Sequence, residues 1–194
     1  MNLNPRQEAI QQARHWLDKN PLFLDTETSG MGEQDTVVEI SLVDLQGVVL
    51  LDTLVHTPRP IARDAFQVHG ITSEITRQAP AWPEIWPELK KLLTSAPIGI
   101  YNAAFDLKMI QQTNRMNWIH WKPNPQVEFF DVMKIYAQFT GERNPRTGDY
   151  RWVSLEKAGK DCGIPLPNAH RAKDDALLTA ALLRKIARSR AAGP

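Results

Sequence analysis

A chain of 194 residues with 42% hydrophobic and 23% charged side chains is long enough for one domain with a sizeable buried core, and its composition excludes a disordered, collagen-like or coiled-coil protein. No apolar run reaches the ~18 residues of a membrane-spanning helix. The 23 basic and 22 acidic residues leave a net charge of +1, which argues against binding nucleic acid by bulk charge alone and allows a local basic rim around an acidic site.

Asn4 to Lys19 predicts a helix: Asn4 caps it, Pro5 suits the first helical position, and Ala9, Ala13, Trp16 and Leu17 recur at helical spacing. This polar start carries no apolar core of a secretory signal. Strand-like runs follow at Pro21–Thr26, Thr36–Leu45 and Val48–Val55, the last two joined by Gln46-Gly47 as an antiparallel hairpin. A short helix is expected from Ile61 to Val68, stopped by Gly70, and another from Pro83 to Leu93. Pro97–Tyr101 reads as an apolar strand leading into a helix over Ala104–Asn114. Gln126–Phe130 is a further short strand, before a helix over Asp131–Phe139 capped by Asp131. Thr140–Tyr150 is an exposed loop, Ser154 caps a helix to Cys162, and the last helix spans Arg171–Arg188. Cys162 is the one cysteine, so neither an internal disulfide nor a Cys-based zinc site is available, and a reducing cytoplasm is the expected compartment. Three strands followed by helix–strand alternation give an α/β fold, a mixed sheet covered by helices.

Three segments carry candidate chemistry. Asp25 and Glu27 stand at i and i+2 on the first strand, so their side chains share a face. Two ionised carboxylates that close need a compensating cation, and hard oxygen ligands suit Mg²⁺ or Mn²⁺; an exposed strand end is the plainer alternative. Asp106 sits in the first turn of the helix after Pro97–Tyr101, where the helix dipole favours it and where α/β sheets gather their sites. Asn168, His170 and Asp175 lie at the start of the last helix. His170 has the side chain whose ordinary pKa allows proton transfer near neutrality, although it also reads as a helix cap. Trp82/Trp86 and Trp118/Trp121 are spaced for helical packing, while Arg143, Arg146 and Arg151 in the exposed loop are candidates for phosphate contact.

Taken in order, the stretches 23–30 (FLDTETSG), 68–72 (VHGIT), 101–106 (YNAAFD) and 170–179 (HRAKDDALLT) resemble the DEDDh 3′-5′ exonucleases, the DnaQ-like group with a ribonuclease-H-like fold. The likeness covers about Pro21 to Arg188 and implies a five-stranded mixed sheet flanked by helices. It divides the chain into an N-terminal helical appendage, 1–20, and an exonuclease domain, 21–190. It also implies that Asp25, Glu27, Asp106 and Asp175 hold two divalent metal ions, Mg²⁺ or Mn²⁺, and that His170 is the general base. The spacing of the motif selects Asp175 over its neighbour Asp174. Ser29 stands where the family often has Thr, a small change between hydroxyl residues. By the same likeness Thr28, His69, Asn102, Phe105 and Lys108 contact the substrate, although Phe105 also reads as core and His69 as a loop histidine. The implied activity is hydrolysis of terminal phosphodiesters at single-stranded DNA or RNA 3′ ends, releasing nucleoside 5′-monophosphates. Two other readings stay open: a non-catalytic nucleic-acid-binding module, and a proofreading subunit with replication or repair partners. A homodimer also stays open; a membrane partner is not expected.

Overall fold

The computed structural model describes residues 3–122, 125–165 and 170–190; Asn168 lies outside them. In chain order the elements are α1 (Pro5–Asp18), β1 (Leu22–Thr28), β2 (Val37–Val43), β3 (Val49–Leu54), α2 (Arg63–His69), α3 (Ser73–Thr76), α4 (Trp82–Leu92), β4 (Ile98–Ile100), α5 (Ala103–Met116), β5 (Phe129–Asp131), α6 (Val132–Thr140), α7 (Leu155–Asp161) and α8 (Ala172–Arg188). The five strands form one sheet in the order β3-β2-β1-β4-β5. β3, β2 and β1 are antiparallel, and β1, β4 and β5 are parallel. This is the expected mixed α/β sheet. Asp44 closes the β2–β3 turn: its side chain accepts from the N–H groups of Gln46 and Val48, both at 2.8 Å. Gly47 there has φ 87°, a conformation that favours glycine.

Side-chain alternation along β1 divides the core. Leu22 and Leu24 join the apolar cluster of α4 and α5, with Trp82, Leu89, Met109 and Ile110. Phe23 joins the cluster on the opposite face, built with α1, α6, α7 and α8. The result is a three-layer sandwich with α5 and α8 on opposite sides of the sheet. Helix α1 packs into the second cluster through Ala9, Ile10 and Ala13, all buried, and Trp16 stacks on Phe130 with ring centroids 4.3 Å apart. Trp82 is fully buried, and its indole N–H donates to Asn114 Oδ1 at 2.8 Å, so the polar edge of a large apolar group is satisfied.

The bounds of several elements differ from the sequence expectation, β5 among them, which covers Phe129–Asp131 and not Gln126–Phe130. β1 runs two residues past Thr26 because Glu27 and Thr28 still pair with β2, opposite Glu39 and Val37; that pairing is long-range and leaves no local signal. α3 is a single turn with Thr72 accepting from the Ile75 N–H, too short to show a period. Among the described residues no helix is long and apolar enough to cross a membrane.

Candidate active site

The site forms at the C-terminal end of β1. Asp25 and Glu27 lie on the β1 face that packs towards α8, as the two-residue period requires. The β1–β2 register shifts between Glu27 and Thr28, with Val38 of β2 falling between their partners Glu39 and Val37, so the ladder is irregular where it meets the site. α8 then brings Asp175, its fourth residue. One carboxylate oxygen from each of Asp25, Glu27 and Asp175 lies within 4.8 Å of the others. The cluster takes Asp175 and not Asp174, as the motif spacing selects.

Asp106 reaches the same region from the opposite layer. Asn102, with φ 66°, turns the chain out of β4, and its N–H is held by Asp131 Oδ1 at 3.2 Å. Left-handed backbone is unusual for a residue other than glycine, but Asn tolerates it better than most. α5 follows at once, and its buried Asp106 accepts from the Thr26 N–H at 3.1 Å and from the Thr26 hydroxyl at 2.7 Å. Thr26 points to the α5 side of the sheet while its neighbours Asp25 and Glu27 point to the α8 side. That residue ties the two halves together.

Packing so many carboxylates together disfavours their charged forms. Burial, then the charges of Asp106, Asp175, Glu27 and Glu39, hold Asp25 well above the ordinary carboxylate range. Burial first, then Asp175, Glu39 and Asp106, pushes Glu27 up to about 8. Burial also raises Asp106 against the opposing hydrogen bonds from Thr26. Asp175 is raised to about 6, again chiefly by burial, with His170 pulling the other way. Asp175 Oδ1 is moreover buried with no hydrogen-bond partner, an arrangement that costs free energy unless something compensates it. Convergent, crowded, hard oxygen donors with one oxygen left over fit a divalent cation such as Mg²⁺ or Mn²⁺.

His170 stands two residues before α8 with φ 47°. A non-glycine residue there costs on the order of 1–2 kcal/mol and persists only where neighbours over-determine it. Its effect on Asp175 puts the imidazole within electrostatic reach of the carboxylate cluster. Sequence reasoning missed Glu39 and Thr26. Glu39 is 3% exposed, directly opposite Glu27 on β2, and is paired with Arg171. The signal for it was a lone charge in the apolar run VVEISLV, since acids are almost never fully buried unless paired.

Of the five substrate candidates, Thr28, His69 and Phe105 line one cavity of about 260 Å³ beside Glu27, with Gly30, Met31 and Val68. Both His69 ring nitrogens are engaged by backbone: Nε2 with Thr28 O at 3.1 Å, and Nδ1 accepting from the Ile71 N–H at 3.0 Å. These partners fix a neutral ring with the proton on Nε2. Lys108 lines a separate cleft of about 370 Å³ with Gln111, Arg115, His120 and Lys122, and Asn102 lines neither. In the loop after α6, Arg143 donates to Gly148 O at 2.7 Å and stacks on Tyr150, and Arg151 pairs with Glu142 at 3.8 Å. Trp82 and Trp86 pack in α4 as their spacing predicts, but α5 ends at Met116, and Trp118 is 91% exposed.

The profile of the exonuclease family RNase_T matches residues 22–183. The chain is 34% identical over 189 residues to an uncharacterized exonuclease, CP81, of Escherichia phage 186, covering 94% of this chain and 95% of that protein. It is 28% identical over 168 residues to the PolC-type DNA polymerase III of Thermotoga maritima, covering 84% of this chain but only 11% of that polymerase. Exonuclease X in complex with 5′-overhanging duplex DNA matches at a TM-score of 0.63 and 26% identity, covering 85% of this chain and 89% of the other. Escherichia coli Exonuclease I in complex with a dA16 oligonucleotide gives a TM-score of 0.71 at 20% identity, covering 89% and 41%, a likeness of fold.

Proposed function

This chain belongs to the exonuclease family RNase_T, the DnaQ-like exonucleases with a ribonuclease-H-like fold, and we propose that it works in the 3′-to-5′ direction, releasing nucleoside 5′-monophosphates one at a time from single-stranded nucleic acid ends. The observation that carries this reading is the convergence of Asp25, Glu27 and Asp175 oxygens within 4.8 Å, with Asp106 and His170 at its edges. Asp25, Glu27, Asp106 and Asp175 would hold two divalent ions, which would supply charge neutralisation for an in-line displacement at phosphorus. His170 takes the proton from the attacking water, and the bond between phosphorus and the 3′ oxygen of the preceding nucleotide breaks. Thr28, His69 and Phe105 shape the cavity for the terminal nucleotide; Asn102 and Lys108 serve the strand beyond it.

Labelled oligonucleotides test this. With Mg²⁺ or Mn²⁺, single-stranded DNA or RNA carrying a 5′ label should shorten by one nucleotide at a time, and EDTA should stop it. Internal cuts, or digestion that persists in EDTA, would overturn the reading. A role beside a polymerase is the second reading, favoured by the likeness to a segment of the PolC-type enzyme. It predicts faster removal of a mispaired primer 3′ end than of a paired one.

A further inference from the structure

Glu39 is a fifth acid at the site, and its oxygens are already committed. Arg171 Nε donates to both of them, at 3.0 and 3.1 Å. Arg171 Nη2 also bonds Oε1, and the Ala172 N–H donates to Oε2 at 2.9 Å. Glu39 is therefore not arranged as a metal ligand, although it sits opposite Glu27 in the β1–β2 register. Its partners explain its position. Arg171 is the residue before α8, and α8 has no side-chain cap of its own. The Glu39 carboxylate, 132 residues away in sequence, supplies one from the neighbouring strand, where the helix dipole favours negative charge. One residue upstream is the left-handed His170, and three residues downstream of Ala172 is Asp175. The clamp thus holds the segment between the two groups that α8 brings to the cluster.

We propose that Glu39 is a positioning residue: by gripping Arg171 and the Ala172 N–H it fixes the start of α8, and through it sets Asp175 and His170 against Asp25 and Glu27. A buried ion pair is weak evidence for stability, so the purpose of this one lies in what it orients. The inference rests on the functional reading above, and its main readout does not depend on turnover.

Titrating metal-free protein with Mn²⁺ by calorimetry measures the geometry directly. Glu39→Ala should weaken Mn²⁺ binding by ~10–100-fold, the usual loss when a group orienting a ligand is removed. It should lower kcat to a similar degree, with the KM for an oligonucleotide changed less than about 3-fold. Glu39→Gln keeps one oxygen to accept from the Ala172 N–H but turns an amide N–H₂ donor towards the Arg171 guanidinium, and should recover part of the lost Mn²⁺ affinity and kcat. Lys173→Ala removes the nearby contact to Asp52 at 3.8 Å and should match the wild type. Where Glu39→Ala fails to fold, Arg171→Ala, whose side chain is 46% exposed, removes the other half of the clamp and should still weaken Mn²⁺ binding by about 10-fold. The clamp is overturned if a folded Glu39→Ala, or Arg171→Ala, binds Mn²⁺ as tightly as the wild type. It is equally overturned if Glu39→Gln loses as much as Glu39→Ala. A wild type that binds Mn²⁺ but does not shorten 3′ ends would defeat the functional reading alone, while the affinity differences would still decide the clamp.

Discussion

Helices α5 and α8 approach β1 from opposite faces of the sheet, and each delivers an aspartate as its fourth residue. The two deliveries differ. Asp106 arrives already wired, its Oδ1 accepting twice from Thr26. Asp175 arrives with a buried oxygen that has no partner, on a helix whose start is gripped from β2 by Glu39. In both cases a left-handed residue, Asn102 or His170, precedes the helix. The α5 half orients its carboxylate by direct hydrogen bonds to the side chain. The α8 half is held through its backbone, at the Ala172 N–H, and leaves Asp175 Oδ1 without a hydrogen-bond partner.

Asp175→Asn should break the α8 half most severely. Activity should fall by about 10³-fold or more, the scale for a member of a catalytic unit, and Asp25→Ala should match it. The thermal stability of metal-free Asp175→Asn should at the same time rise, because a carboxylate crowded by burial and by Asp174 and Glu39 is gone. A rate within tenfold of wild type would remove Asp175 from the reacting centre. On the α5 half, Thr26→Val deletes the hydroxyl donor at nearly constant shape but leaves the Thr26 N–H bond. The expected loss is smaller, ~10–100-fold in kcat. Unchanged kcat would mean that Asp106 needs no orientation from β1.

The halves can also be compared through pH. Glu27 and Asp175 are raised in the folded protein, to about 8 and about 6, from ordinary values near 4.5 and 3.8. A raised carboxylate contributes stability that is fully present below its unfolded pKa and lost as pH climbs through its folded pKa. Metal-free protein should therefore lose melting temperature between about pH 4 and pH 8, by about 2–4 °C for each kcal/mol lost in a chain of this size. Added Mg²⁺ or Mn²⁺ should raise the melting temperature most at the alkaline end, where the ligands give up their protons without cost. Calorimetric scans with and without metal check both slopes; a melting temperature independent of pH in EDTA would mean that the carboxylates do not crowd one another.

The carboxylates of β1 and α5 were the more legible in sequence. Alternation puts Asp25 and Glu27 on one face whatever the rest of the chain does, and Asp106 in a first helical turn follows from the apolar run before it. Asp175 came through motif spacing, because nothing local separates it from Asp174. Glu39 was half legible: a lone charge in the apolar run VVEISLV signals a buried acid that needs a partner, but nothing local names Arg171, 132 residues on, as that partner. The Thr26–Asp106 bond spans 80 residues and depends on which face of β1 meets α5. The end of β1 was misplaced for the same reason, since pairing with β2 and not local propensity sets it. Local periodicity specifies faces; which faces meet is decided by long-range packing.

The mildest expected effect concerns the outer surface of α5. Lys108 is one turn beyond Phe105, which lines the cavity at Glu27, and it shares its cleft with Arg115 and Lys122. Among the described residues none of these three cations has a carboxylate within 4.0 Å, so their charge is available to a strand leaving the terminal-nucleotide cavity. Each phosphate neutralised on a single strand contributes about 0.7 to the slope of log K against log salt. Lys108→Ala should therefore raise the KM for a long oligonucleotide only a few-fold at low salt and flatten that slope by ~0.7, and Lys108→Ala/Arg115→Ala should flatten it by about twice as much. A dinucleotide, too short to reach the Lys108 cleft, should show no such change. An unaltered slope would place the strand on another face and leave Lys108 as plain surface charge.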